Sequence, residues 1–409
     1  MTSSNITEPN YRWYILIVGT ITQTLVVGVP WQCMPVLFKE ISNDLGLSLV
    51  QIGTVWGLIS LAGALSALIG GLLGDRFGIK PTLTVACLLA GLTGALRGLS
   101  SDFVSLAVTM FLFGFIIWMI PLNAHRITAV WFSGRYMGMA NGILSVGIST
   151  GYMIGPLISS TILSPLFGGW RNVLFFYSVV SIAIGLIWMV TGREPREADS
   201  LPNQGYSAPF RQALSHVVRI KSVWILGFIL IGQMGCIQGV SGYLPLYLRA
   251  SGWTVASADS TLAVLAGTAT MATIPYTLIS DRLGLRKFVL IPTLSVAAII
   301  TILLWKINGP AIWALIILIG LLRGGFMALL ITVVIETKDI GATYAGTAQG
   351  LMTAVSQFGG FIGPPVGNSL ANFNMGLPFA FWGVLSGITL PLFYFIPETG
   401  RGKNRPRLT

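Results

Sequence analysis

The stretch Gly71-Leu72-Leu73-Gly74-Asp75-Arg76-Phe77-Gly78-Ile79-Lys80 separates two long apolar runs. A related one, Ile279-Ser280-Asp281-Arg282-Leu283-Gly284-Leu285-Arg286, returns 206 residues later. Asp75 matches Asp281 and Gly78 matches Gly284. One such turn reads as a solvated hairpin. Its return at the same place in each half of the chain points to an internal duplication. The residue types suit a tight polar turn between antiparallel helices. Gly78 and Gly284 permit a sharp reversal at low steric cost. Asp75 and Asp281 suit the positive N-terminal end of a neighbouring helix, and Arg76, Lys80 and Arg282 suit a headgroup layer.

Composition sets the class. Hydrophobic residues make up 54% of the 409, charged residues 9%, and mean hydropathy is +0.80. Soluble domains carry roughly 25% charged residues, so most of this surface faces something other than water. The 49 glycines suit helices packed closely in lipid. Cys33, Cys87 and Cys236 fall inside apolar runs without metal-ligand spacing and read as reduced packing residues. No metal site and no cofactor are expected.

Twelve stretches are long enough to span a bilayer, which takes about 20 mostly apolar residues. They lie near 13–37, 51–74, 81–99, 103–127, 137–161, 171–191, 222–248, 258–280, 288–306, 311–335, 342–367 and 378–397. The first is too long for a signal-peptide core and reads as a retained helix. With both termini inside, the inner segments hold 18 basic residues and the outer loops five, with Arg323 left over. That asymmetry orients the chain with both termini cytoplasmic. The net charge of +11 then lies against an anionic inner leaflet and membrane lipids, not against nucleic acid.

The polar stretch 192–221 divides the spans six and six, giving bundles at 1–191 and 222–409, the second ending in a short basic tail. Within it Phe210, Ala213, Leu214, Val217 and Val218 share one helical face, which reads as an amphipathic helix lying on the inner membrane surface. The duplication extends further. Ala140-Asn141-Gly142-Ile143-Leu144 matches Ala348-Gln349-Gly350-Leu351-Met352 at an offset of 208, and Gly151, Gly155 and Pro156 match Gly359, Gly363 and Pro364. Gln23 matches Gln233 at an offset of 210. Six helices repeated in one orientation imply halves related by an axis along the membrane normal.

On these residues the chain resembles the major facilitator superfamily over essentially its whole length. The Gly71–Lys80 stretch resembles that family's signature between helices two and three. Gly147, Gly151, Gly155 and Pro156 resemble its glycine-proline pattern in helix five. The resemblance implies an all-α membrane protein of twelve transmembrane helices in two six-helix pseudo-symmetric bundles. It also implies a monomeric alternating-access transporter, expected in a bacterial cytoplasmic (inner) membrane. Asp75, Arg76, Gly78, Lys80, Asp281, Arg282 and Gly284, with the glycine-proline positions of helices five and eleven, would serve gating. Trp131, Phe132, Arg135, Gly138 and Ala140 resemble branches that move organic anions such as monocarboxylates. The chain departs from several of those in having no charge inside spans two, eight or eleven.

An ionisable residue in mid-membrane is expensive and marks a functional candidate. Arg323 lies midway along span ten, with Glu336 at the end of that span as the nearest acid. Its planar fork suits a carboxylate; the alternative is a helix contact to backbone carbonyls. By the resemblance, helices one, four, seven and ten line a central cavity. Gln23 and Gln233 would face it as neutral donors and acceptors, with Trp31, Gln32, Gln238 and Tyr243 in its outer part and Trp118 and Asn123 in its inner part. His125 either carries a proton or sits at the headgroup layer. Arg97, near the end of span three, is expected to snorkel outward.

No phosphate loop, nucleophile elbow or Cys/His cluster is present. The expectation is a secondary or facilitative transporter of a small, carboxylate-like organic anion, with a proton or counter-anion as coupling partner. Efflux of neutral or amphipathic compounds is the alternative. A membrane-embedded enzyme or a non-transporting receptor ranks below both.

Overall fold

The computed structural model describes residues 8–132, 136–193, 210–307, 309–337 and 340–399. Arg135 therefore lies outside the described residues, as does most of the 192–221 stretch. Among the described residues there is no strand, and twelve long helical segments follow the expected spans. They are α1 (Tyr11–Leu45), α2 (Leu49–Phe77), α3 (Ile79–Gly98), α4 (Phe103–Trp131), α5 (Met137–Phe167), α6 (Trp170–Thr191), α7 (Lys221–Ala250), α8 (Val255–Leu283), α9 (Arg286–Leu303), α10 (Ala311–Glu336), α11 (Gly341–Leu370) and α12 (Leu377–Phe395). Ten of them contain a stretch long and apolar enough to cross a membrane. Of the other two, α10 is 26 residues long and α11 is 30. In lipid every backbone N–H and C=O must find an internal partner, so an apolar segment of this length has no alternative to a helix.

The expected polar turn is shorter than its composition suggests. Helix α2 runs on through Gly71 and Asp75 to Phe77, and only Gly78, at φ 85°, breaks it before α3 begins at Ile79. In the second half α8 runs to Leu283, Gly284 sits at φ 64°, and α9 begins at Arg286. Glycine adopts this left-handed region freely and other residues do not. The reversal is thus confined to one or two residues, and the aspartates sit in the last helical turn. The side chain of Asp75 lies outside the described part.

The chain clusters into two compact units. Unit 1 comprises residues 1–47, 65–201 and 254–263. In it α5 lies directly against α1. A Cβ on Gly147 would stand 2.8 Å from the Thr20 carbonyl, one on Gly151 2.7 Å from Gly28 Cα, and one on Gly155 2.9 Å from the Val29 carbonyl. Backbones this close pack only through glycine, and the Thr24 hydroxyl donates across the seam to the Gly147 carbonyl at 2.8 Å. Beside the seam, α1 makes a π-helical turn at Gln23–Gly28. The start of α8 belongs to this unit, where Ser160 of α5 bonds the buried carboxylate of Asp259.

Unit 2 comprises residues 48–64, 202–253 and 264–409. Here α11 lies against α7 as α5 does against α1: a Cβ on Gly359 would meet the Ile231 carbonyl at 2.0 Å, and one on Gly363 would meet Gly235 Cα at 2.7 Å. The first part of α2 belongs to this unit. Its Trp56 indole donates to the Gln238 carbonyl at 2.8 Å, and Asn368 of α11 donates to the Leu49 carbonyl at 2.8 Å. The linker helix forms at Phe210–Val217, and part of its apolar face packs on the protein. Ala213 is buried, and Val217 and Ile220 join a core with Ala348 and Met352 of α11, while Val218 stays exposed.

Candidate functional site

In unit 2, Arg323 stands on a stretch of α10 that glycines press onto α8. A Cβ on Gly320 would lie 1.9 Å from the Thr268 hydroxyl, and one on Gly324 1.8 Å from the Ala269 carbonyl. Thr273 adds a bond to the Gly324 carbonyl at 3.0 Å. The helix is therefore fixed on both sides of the arginine. Arg323 itself is half-buried, and its Nη1 is buried with no hydrogen-bond partner. It takes no part in the ion pairs that join Arg171 to Asp44 and Arg286 to Asp281 and Glu336. Cys236 of α7, a free and buried thiol, lies within its electrostatic reach. A guanidinium held rigidly with an unused donor is set up to receive an oxyanion.

Other unit 2 candidates have their polar groups engaged within the protein. Gln233 Nε2 donates to the Ser386 carbonyl at 3.3 Å, and the Ser386 hydroxyl donates to Gln233 Oε1 at 3.0 Å. Gln238 Nε2 reaches the Trp56 carbonyl at 3.4 Å. The Tyr243 hydroxyl donates to the Met375 carbonyl at 3.0 Å, and its ring lies in a cluster with Tyr247, Phe379 and Trp382.

Unit 1 holds a neutral set. The rings of Trp31 and Trp118 meet edge to face at 5.2 Å. A Cβ on Gly19 would meet Ile127 at 3.2 Å. These two contacts fix the antiparallel register of α1 and α4 and put Gln23 at the depth of Asn123. Gln23 is fully buried, and both its Oε1 and Nε2 lack partners. The Trp118 indole N–H and Gln32 Oε1 are likewise unmatched, while Asn123 Nδ2 donates to the Met119 carbonyl at 2.8 Å. Burying an amide without a partner is costly, and π-helical turns such as that at Gln23 recur at functional sites. His125 Nδ1 lies 3.0 Å from Asn141 Oδ1, which also accepts from the Thr128 hydroxyl at 2.8 Å.

Around the second-half turn the structure adds residues that the sequence did not single out. Arg286, 7% exposed, bonds Glu336 through Nε at 3.2 Å and Nη2 at 2.9 Å, and Asp281 and Ser280 through Nη1 at 2.7 and 2.9 Å. Glu398 accepts from the backbone N–H of Arg286 at 2.7 Å and so caps α9. The one sequence signal for Arg286 is that it matches Lys80 at the offset relating the two turns. Arg282 is exposed; Arg76 is also exposed and lies over the Phe77 ring at 5.4 Å. Arg97 does not snorkel. It is 1% exposed and turned into unit 1, its guanidinium 3.5 Å above the Phe113 ring, while Arg171 bonds the Gly98 and Ser100 carbonyls near the end of α3.

The profile of the Major Facilitator Superfamily matches residues 20–364 and 252–409. A probable nitrate/nitrite antiporter, NarK1 of Thermus thermophilus, is 28% identical over 250 residues, covering 58% of this chain and 54% of that protein. The cis,cis-muconate transport protein of Acinetobacter baylyi is 21% identical over 403 residues, 94% of this chain and 95% of its own length. Among solved structures, a bacterial homolog to the human lysosomal transporter Spinster, inward-facing and occupied, superposes with a TM-score of 0.76. It is 18% identical and covers 98% of this chain and 99% of that one, a likeness in fold. A fold and relatives of this kind are those of transporters, not enzymes, and this multi-pass integral membrane protein belongs to the Major Facilitator Superfamily.

Proposed function

We propose that the protein moves a small organic anion, carboxylate-like in its charged group, across the membrane by alternating access. The observation that carries this reading is Arg323, rigidly mounted on α10 with a buried, unpartnered Nη1 and no carboxylate paired to it. Two relatives named for anions, nitrate/nitrite and muconate, support the same class. The sequence halves 1–191 and 222–409 act as the moving bundles, and the turns at Gly78 and Gly284 help define the cytoplasmic side of the gate. Both termini lie in the cytoplasm of a bacterial cell; reporter fusions at residue 205 and at the C-terminus both read inside, and an outside reading from either overturns the orientation.

The test of the substrate class is thermal stabilisation of the purified protein across small carboxylates and their uncharged amides. Carboxylates stabilise the wild type and lose that effect in Arg323→Gln, while amides are indifferent to the change. Stabilisation by the amides alone moves the protein to the second reading, export of neutral or amphipathic compounds. That reading draws on the unpaired Gln23 amide and the Trp31–Trp118 ring pair.

A further inference from the structure

Arg97 is a charged side chain that the transport reading does not use. It is 1% exposed and one residue from the end of α3. The carbonyls of Gly98 and Ser100 near that end accept from Arg171 Nη1 at 3.2 and 2.6 Å, not from Arg97. Turned inward, the Arg97 guanidinium stacks 3.5 Å above the centroid of the Phe113 ring. Its Nη1 finds only the Pro30 carbonyl at 3.4 Å and the Met110 sulfur at 4.0 Å, and its Nε is buried without a partner. A guanidinium carries five N–H donors, and one carbonyl at the limit of bonding plus a thioether leave most of them unused. Arg97 joins none of the ion pairs formed among the described residues. The nearby Cys33 thiol donates to the Pro30 carbonyl at 3.3 Å, so it is protonated and brings no negative charge.

We propose that Arg97 holds a small monovalent inorganic anion of the halide class inside unit 1, at a site separate from Arg323. A buried guanidinium without a counter-charge is strongly destabilising, and an anion in its plane supplies that charge. The surroundings select for size and softness. Phe113 covers one face, Met110 and Cys33 flank it, and Gly94 puts no side chain beside Nη2: a Cβ there would stand 3.7 Å from Nη2 and 2.8 Å from the Ser178 hydroxyl, which is itself engaged with the Leu174 carbonyl. These neighbours offer no further strong donors for the several oxygens of an organic carboxylate, whereas a halide accepts from Nε and Nη2 with little directional demand. The 99–102 loop begins two residues on, so the path from the protein surface is short.

The experiment is a thermal-stability titration of the purified wild type and of Arg323→Gln with sodium chloride or bromide against sodium gluconate at fixed ionic strength; in Arg323→Gln the gluconate carboxylate has no site of its own. A saturable, halide-specific rise is expected. Arg97→Gln should weaken the apparent halide affinity by about ten- to a hundred-fold, as for loss of a charge-assisted bond. Arg97→Met keeps the bulk of the stem, removes the charge, and should abolish the response. Chloride NMR line broadening reads the same site in the unmutated protein. An Arg323→Gln protein that treats chloride and gluconate alike, with no chloride broadening in the wild type, overturns the proposal, as does a halide response surviving in Arg97→Met. A response lost in Arg323→Gln but kept in the Arg97 variants also overturns it, and places the anion at Arg323.

Discussion

Gln233 and Ser386 are joined twice: the serine hydroxyl donates to Gln233 Oε1 at 3.0 Å, and Gln233 Nε2 donates back to the Ser386 carbonyl at 3.3 Å. The pair ties α7 to α12. Gln23 is the counterpart of Gln233 in the first half, yet neither of its side-chain polar atoms has a partner. Ser178, which matches Ser386 at the offset of 208, turns its hydroxyl onto the Leu174 carbonyl of its own helix at 2.7 Å. One position of the repeat is closed by helix packing, and its equivalent is open.

The two glutamines should therefore respond oppositely to Leu. Gln233→Leu breaks the pair and leaves the Ser386 hydroxyl to find another acceptor in the interior, a loss of about 1–3 kcal/mol. Gln23→Leu removes an amide that pays desolvation without a bond, so stability should hold or rise while transport falls. Scanning fluorimetry and a transport assay on both variants decide it. Equal destabilisation by the two changes would remove the distinction.

At the second-half turn, Arg286 joins Asp281 of α8 to Glu336 of α10. Its side chain is 9% exposed against 26% for Glu336 and 61% for Asp281, so the Glu336 contact should dominate. Hydrogen bonds to charged groups are worth roughly 1.5–3 kcal/mol, and partial exposure places this one at the lower end. Arg286→Met and Glu336→Gln should each destabilise by that order. Their double variant should cost clearly less than the two singles added together, and Asp281→Asn should cost little. An additive cycle would show that the close geometry carries no coupling.

The twelve spans were legible because an apolar run of bilayer length has only the helix open to it. Their ends were less so. Lys39, Glu40 and Asp44 read as a loop, yet α1 continues to Leu45 because Glu40 accepts from Ser164 at 2.6 Å and Asp44 accepts from Trp170 at 3.1 Å. The turn at Gly71–Lys80 was read too long because its polar residues sit on a helix that only Gly78 ends. Arg97 was misplaced because its contacts, the Phe113 ring, the Pro30 carbonyl and the Met110 sulfur, come from residues no local pattern around it predicts. Glu336 and Glu398, the partners at Arg286, are equally remote from it along the chain.

Asp102 gives a dependence on pH. It caps α4, with Oδ1 accepting from the backbone of Val104 at 2.8 Å and Ser105 at 3.0 Å, and Ser105 returns its hydroxyl to the cap. The Ser105 N–H, above all, holds the carboxyl below its ordinary value. A lowered value in the folded state means folding favours the ionised form. The contribution is then complete above the ordinary aspartate range and fades as pH falls through the lower folded value. Asp102→Ala should lower the melting temperature at neutral pH and narrow its gap to wild type in acid. Asp102→Asn, which caps without charge, should be nearly level with wild type at neutral pH. A gap between Ala and wild type that is unchanged down to acid pH would leave the cap without an ionic component.

Arg323→Lys separates charge from shape at the substrate site. Lysine keeps a positive charge in α10 but presents a compact ammonium, which cannot give a carboxylate two parallel N–H bonds. If the anion is held by the fork, Lys should recover only part of what Gln loses. Full loss of a charge-assisted contact of roughly 1.5–3 kcal/mol weakens affinity about ten- to a hundred-fold, and Lys should fall between that and wild type. If the arginine instead sets only a general positive potential, Lys should match wild type. The measurement is the apparent affinity of a small carboxylate for the three proteins, with its amide as control. Wild-type affinity in the Gln variant would remove Arg323 from the site altogether, because no substrate charge would then be meeting it.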